Sequence, residues 1–92
     1  MTDTPYELVV TPPARRAITE QLPEPVATAV IEFITTALLE QPRRVGKPLR
    51  FELEGIWSAR RGTYRILYRI NDHTHEVIVV RIDHQNAAYR PH

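Results

Sequence analysis

Ninety-two residues, 42% hydrophobic and 25% charged, suffice for one domain with its own core and exclude a disordered chain. The lack of cysteine excludes disulfides and thiolate metal sites, which fits a reducing cytoplasm, and no apolar run approaches the roughly 18 residues that cross a bilayer. The net charge of +1 conceals a split: residues 1–42 set two arginines against six carboxylates, and residues 43–92 set ten lysines or arginines against five.

Charge separated in this way predicts a polyanion-facing side and a partner-facing side. Met1-Thr2-Asp3-Thr4-Pro5 lacks the charged-then-apolar layout of a signal peptide, so residues 1–92 read as a single cytoplasmic domain with no membrane contact. Tyr6 to Val10 is a short strand ended by Thr11-Pro12-Pro13. Thr11 is placed to cap a helix, and proline is well tolerated in a first turn because its missing N–H had no partner there. That helix runs to about Leu22 and buries Ala14, Ala17, Ile18 and Leu22. Pro23 and Pro25 break it. A second helix starts near Glu24 and lines up Val26, Ala29, Val30, Phe33, Ile34, Ala37 and Leu38 at helical spacing before Gln41-Pro42 ends it. Arg43 to Pro48 reads as a basic loop punctuated by Gly46 and Pro48, and Leu49 to Leu53 fits either a turn or an extended segment.

Gly55 to Ile70 reads as two strands joined by a tight turn at Arg61-Gly62-Thr63, with Gly62 supplying positive φ without a steric penalty. Beyond the turn Tyr64, Ile66, Tyr68 and Ile70 point one way, and Arg65, Leu67 and Arg69 point the other. Asn71 to Thr74 turns again into a β-branched strand, His75 to Asp83, and His84 to His92 leaves room for one helical turn or a strap. The order β-α-α-β-β-β predicts an α+β domain. Its two N-terminal helices pack on one face of a four-stranded, largely antiparallel sheet, and the other face stays open. Arg65 and Arg69 then stand on the open face. Simple alternation groups Arg60 with Ser58 and Ile56, turns Arg61 to the helix side, and groups Arg81 with Val77 and Val79. Arg60 and Arg65 are expected to converge near Gly62, with Arg81 close by.

A sheet face of arginines is a platform for an anion, because the planar guanidinium fork matches phosphate oxygens and never loses its charge. Cleaving an RNA phosphodiester by its own 2′-hydroxyl also needs a proton acceptor and a donor for the leaving oxygen, tasks that a group with a pKa above about 12 performs badly. His84 and Tyr89 are the candidates for that work, and Tyr89 is equally suited to stacking on an unpaired base. Lys47, Arg61, Arg69 and Arg81 supply further cations for an RNA backbone. Tyr64, Tyr68 and Trp57 read as core residues. His73 and His75 lack a third ligand, so no metal site is expected.

Gly46-Lys47-Pro48-Leu49 followed by Leu53 to Ile70 resembles the RelE/ParE superfamily of bacterial toxins, with its "leucine-x-glycine … arginine-x-glycine-x-tyrosine-arginine" hairpin. Val80 to Arg90 resembles the closing "histidine-arginine … tyrosine-arginine" motif of that superfamily, and the chain resembles in particular the RelE-type toxins of mycobacteria and other actinobacteria. The resemblance implies a toxin of a type II toxin–antitoxin pair, an endoribonuclease that cuts mRNA in the ribosomal A site without metal or other cofactor. It maps Arg65 onto the arginine at the scissile phosphate, Arg60 onto a basic position of the preceding strand, Tyr89 onto the C-terminal tyrosine and His84 onto the family histidine. Ile56, Ser58 and Gln85 stand where relatives often carry cations. A charged hydrogen bond is worth about 1.5–3 kcal/mol, so these departures predict a slower enzyme. The same scaffold also serves ParE-like poisons of DNA gyrase, and a degenerate toxin would only bind its antitoxin. In each case the resemblance implies a cognate antitoxin, a segment of which folds over the toxin, with operator DNA reached only through that antitoxin.

Overall fold

The computed structural model describes residues 4–50 and 55–84. The chain forms β1 (Glu7–Val10), α1 (Pro12–Arg16) running on as a π-helical turn (Ala17–Gln21), α2 (Glu24–Thr35), α3 (Ala37–Glu40), α4 (Pro42–Val45), β2 (Gly46–Pro48), β3 (Trp57–Arg61), β4 (Tyr64–Asn71) and β5 (Glu76–His84). The strands make one sheet in the order β1-β5-β4-β3-β2, antiparallel except for the parallel β1–β5 pair. The expected α+β layers are present, and the sheet has five strands instead of four. The extra one is β2, three residues of the basic segment that pair with Trp57, Ser58 and Ala59.

The helix face of the sheet carries the core. Ala14, Ala17, Val30, Ile34 and Leu38 from the helices meet Ala59, Ile66, Tyr68, Val77, Val79 and Ile82 from the sheet. Each fully buried aliphatic side chain contributes about 1.5–3 kcal/mol relative to exposure, so this face sets the register of every strand. Ile66 and Tyr68 are fully buried, and Trp57 and Ile70 pack against the same cluster.

The long second helix is interrupted at Thr36, whose φ of −122° and ψ of −88° leave the helical region. Thr35 Oγ1 donates to the Ile31 carbonyl at 2.7 Å and Thr36 Oγ1 to the Glu32 carbonyl at 2.5 Å, back-bonds that compete with the helical ladder and bend it. Thr11 does not cap α1 with its side chain. The second helical position is Pro13, which has no N–H to offer such a cap. The Thr11 hydroxyl instead lies 3.0 Å from the carbonyls of both Val79 and Val80 on β5.

That contact marks a bulge that overturns the expected grouping of Arg81 with Val77 and Val79. Leu67 faces Arg81 while Tyr68 faces Val79, so Val80 is an extra residue in β5. One extra residue shifts the phase of a strand by one step. Val77, Val79 and Ile82 therefore share the core, and Arg81 and Asp83 share the open face.

Candidate active site

The open face is organised by the β3–β4 hairpin. Arg61 pairs with Tyr64, leaving Gly62 and Thr63 as a two-residue loop, and Gly62 has φ +64° at the first loop position. Glycine is the favoured residue at that position of a type II′ hairpin turn. One step inward, Arg60 stands directly opposite Arg65. Directly opposed side chains have Cβ atoms about 5 Å apart, and like charges there disfavour the pairing by about 0.2–1 kcal/mol. Asp83 of β5 stands opposite Arg65 on its other side as a compensating charge, and an anion between the two guanidinium groups would add to that compensation.

Lys47 on β2 faces Ser58, and α4 raises Arg44 beside it. With Val45, Gly46, Leu49 and Ser58, these two and the Arg60–Arg65 pair line an open groove of about 510 Å³. Arg65 is half-buried and its Nε is closed off from solvent, so the side chain enters the groove from a fixed root. Arg60 and Arg65 converge beside Gly62 as expected, Lys47 lines the same groove, and Arg81, expected close by, does not line it. Arg44 was not singled out from sequence, because a basic loop gives no hint of which cation turns inward. Pro42, a favoured first-turn residue, is the signal that a helical turn begins there.

The other candidates are spread over the molecule. Arg61 lies on the helix side, as alternation required, and lines a separate hollow with Pro25, Val26 and Ala29 of α2, away from the groove. Arg69 is on the open face toward the far end of β4, where a Cβ added to Gly55 would lie 3.7 Å from its Nη1. Arg81 Nε donates to Asp83 Oδ1 at 2.8 Å. His84 pairs with Tyr64 and meets that ring edge-on at 4.9 Å, on the face of Ile66 and the helices. It is thus on the opposite side of the sheet from Arg60 and Arg65. Tyr89 and Gln85 lie outside the described residues. His73 is exposed in the β4–β5 turn, while His75 stacks on Tyr6 at 4.0 Å with its Nε2 2.7 Å from the Thr4 carbonyl. Among the described residues no three His, Cys, Asp or Glu side chains gather as metal ligands, and no helix is long and apolar enough to cross a membrane.

The sequence profile of the ParE toxin of the type II toxin–antitoxin system parDE matches residues 8–89. The chain belongs to the RelE/ParE superfamily of toxins. Within this superfamily it is 47% identical to the toxin RelE of Mycobacterium tuberculosis over 88 residues, covering 96% of this chain and 90% of that protein. It is 50% identical to the toxin RelG of the same organism over 86 residues, covering 94% and 98%. The fold superposes on the crystal structure of the M. tuberculosis toxin–antitoxin complex RelBE2 with a TM-score of 0.84 at 51% identity, covering 88% of this chain and 99% of that one. The E. coli RelBE complex shares the fold at 22% identity, with a TM-score of 0.71, covering 86% and 95%. The RelE/ParE toxin described here therefore has relatives of nearly its own length.

Proposed function

We propose that this toxin is a ribosome-dependent mRNA endoribonuclease that arrests translation and growth. The observation that carries the reading is the Arg60–Arg65 pair, held in register across a hairpin and opening into a groove that Arg44 and Lys47 also line. Two guanidinium groups at that spacing suit the phosphoryl oxygens of one phosphodiester and stabilise the extra negative charge as the 2′-oxygen attacks. In this reading the attacking 2′-hydroxyl gives up its proton as its oxygen bonds to phosphorus, the P–O5′ bond breaks to leave a 2′,3′-cyclic phosphate, and the 5′-oxygen is protonated. Proton transfer belongs to a group other than arginine. His84 faces the helix side of the sheet, which leaves Tyr89 as the candidate to test. The similarity to toxins named RelE and RelG favours the nuclease, while the ParE description of the matching family keeps the gyrase poison as the second reading.

The partner in this proposal is a cognate antitoxin, as the toxin–antitoxin complex of the 51% identical relative suggests, and in this reading it covers the groove. Operator DNA is reached through that antitoxin. The test is expression of the toxin and of Arg65→Ala at equal levels, with primer extension on translated mRNA. Cuts confined to translated messages, lost together with growth arrest by a factor of roughly 100 or more in Arg65→Ala, are expected. An Arg65→Ala protein as toxic as the parent overturns the reading. Intact mRNA with a DNA-damage response identifies a gyrase poison.

A further inference from the structure

Arg44 and Lys47 reach the groove from a short arm, α4 followed by β2. Neither element sustains itself. One helical turn cannot offset its own nucleation, and β2 has three residues, one of them Pro48 with no N–H for the ladder. The arm is tied from beneath. Tyr68 is fully buried on the helix face, and its hydroxyl donates to the carbonyl of Pro42, itself buried at the start of α4. Gly46, at the start of β2, closes on the same hydroxyl. A Cβ there would run into the Tyr68 oxygen and would lie 2.8 Å from the Ser58 carbonyl oxygen. Gly46 is in extended backbone, so the requirement is close approach, not positive φ. A second tie, from Arg43 to Asp72, has both side chains more than half exposed, at 51% and 58%, and holds little.

We infer that Tyr68 is a positioning residue for a second phosphate subsite. Its hydroxyl holds the arm so that Arg44 and Lys47 form one wall of the groove, where the phosphodiester next to the scissile one in a single-stranded RNA meets its own pair of cations. The inference rests on the nuclease reading. It separates two jobs in one groove: the hairpin arginines face the reacting phosphate, and the arm contributes binding of the neighbouring phosphate.

Tyr68→Phe keeps the ring and removes the hydroxyl. In cleavage of mRNA on programmed ribosomes, Tyr68→Phe is expected to raise KM roughly fivefold with kcat changed less than about twofold, the signature of lost binding. The double variant Arg44→Ala/Lys47→Ala also raises KM, and adding Tyr68→Phe to it produces no further rise, because both act through the same cations. Amide exchange over residues 42–48 accelerates at least about tenfold in Tyr68→Phe while β4 and β5 stay protected. An unchanged KM, a fall in kcat with KM unchanged, or a Tyr68→Phe effect that adds in full to the double variant overturns the inference. A parent protein that leaves mRNA uncut overturns the nuclease reading instead. The exchange rates of residues 42–48 then judge the tie alone, and unchanged rates refute it.

Discussion

Three side chains decide how the groove is made, and each is read differently. Arg65 was visible as a strand arginine in a family motif, and its partner Arg60 followed from hairpin register. Tyr68 reads from sequence as a core tyrosine, and its ring is one. The acceptor for its hydroxyl, the Pro42 carbonyl, lies 26 positions away in the chain, and no local pattern encodes that pairing. Burial pushes the Tyr68 pKa up to about 12. An unfolded chain releases this proton near pH 10, so the folded state binds the extra proton between pH 10 and about 12. Stability is therefore full below pH 10 and is lost as pH rises through that window, by about 3 kcal/mol over its whole width. Urea denaturation between about pH 9 and pH 11 should show about half of that fall in the parent and a shallower one in Tyr68→Phe. Gly46→Ala should cost about 1–3 kcal/mol, because the added methyl meets a buried hydroxyl and a backbone carbonyl. A urea midpoint that falls with an unchanged slope is the expected result, and an unchanged midpoint would show that the arm yields freely.

At the scale of elements, periodicity located both main helices and the three long strands, because the hydrophobic effect writes a period of 3.6 or 2 into any half-buried element. It failed where a single residue changes the phase. Val80 is one more β-branched residue in a β-branched run, and nothing in its type marks it as a bulge. The bulge nevertheless decides whether Arg81 or Ile82 enters the core. Deleting Val80 should return β5 to plain alternation with Arg81 still on the open face and Ile82 still in the core. The expected outcome is a chain that keeps a cooperative thermal transition, its midpoint lowered modestly because Thr11 loses one of its carbonyl contacts, and loss of that transition would show that β5 cannot pair without its bulge. Gly62 makes the opposite case, since its role was legible from the tight turn alone. Gly62→Ala places a Cβ at φ +64° and should lower stability by about 1–2 kcal/mol, measured by thermal melting. Open space around that position means the loss comes from the backbone and not from a clash.

Across the whole molecule, the uneven charge along the chain becomes a division between faces. The acidic N-terminal half supplies the helices, and the basic half supplies the arm and hairpin around the groove. Arg43 also serves at the far end of the sheet, where it and the Tyr6 hydroxyl hold the Asp72 carboxyl below its ordinary value. The pair is exposed, so stability should fall only slightly as acid protonates Asp72, and added salt should mask the loss. An antitoxin that fills the groove should suppress cleavage in proportion to complex formed. Titrating purified antitoxin into the ribosome cleavage reaction, with cuts read by primer extension, checks this, and cleavage that persists at saturation would place the antitoxin on another face.

Residue order by itself settled the α+β class, the helices, the hairpin and the pair of arginines beside it, because local periodicity, turn chemistry and strand register act over a few positions. Folding in three dimensions settled the fifth strand, the face taken by Arg81 and by His84, and the anchoring of the arm by Tyr68. Those outcomes turn on one inserted residue and on contacts between distant segments, which depend on how whole elements pack and leave no trace in a short stretch of sequence.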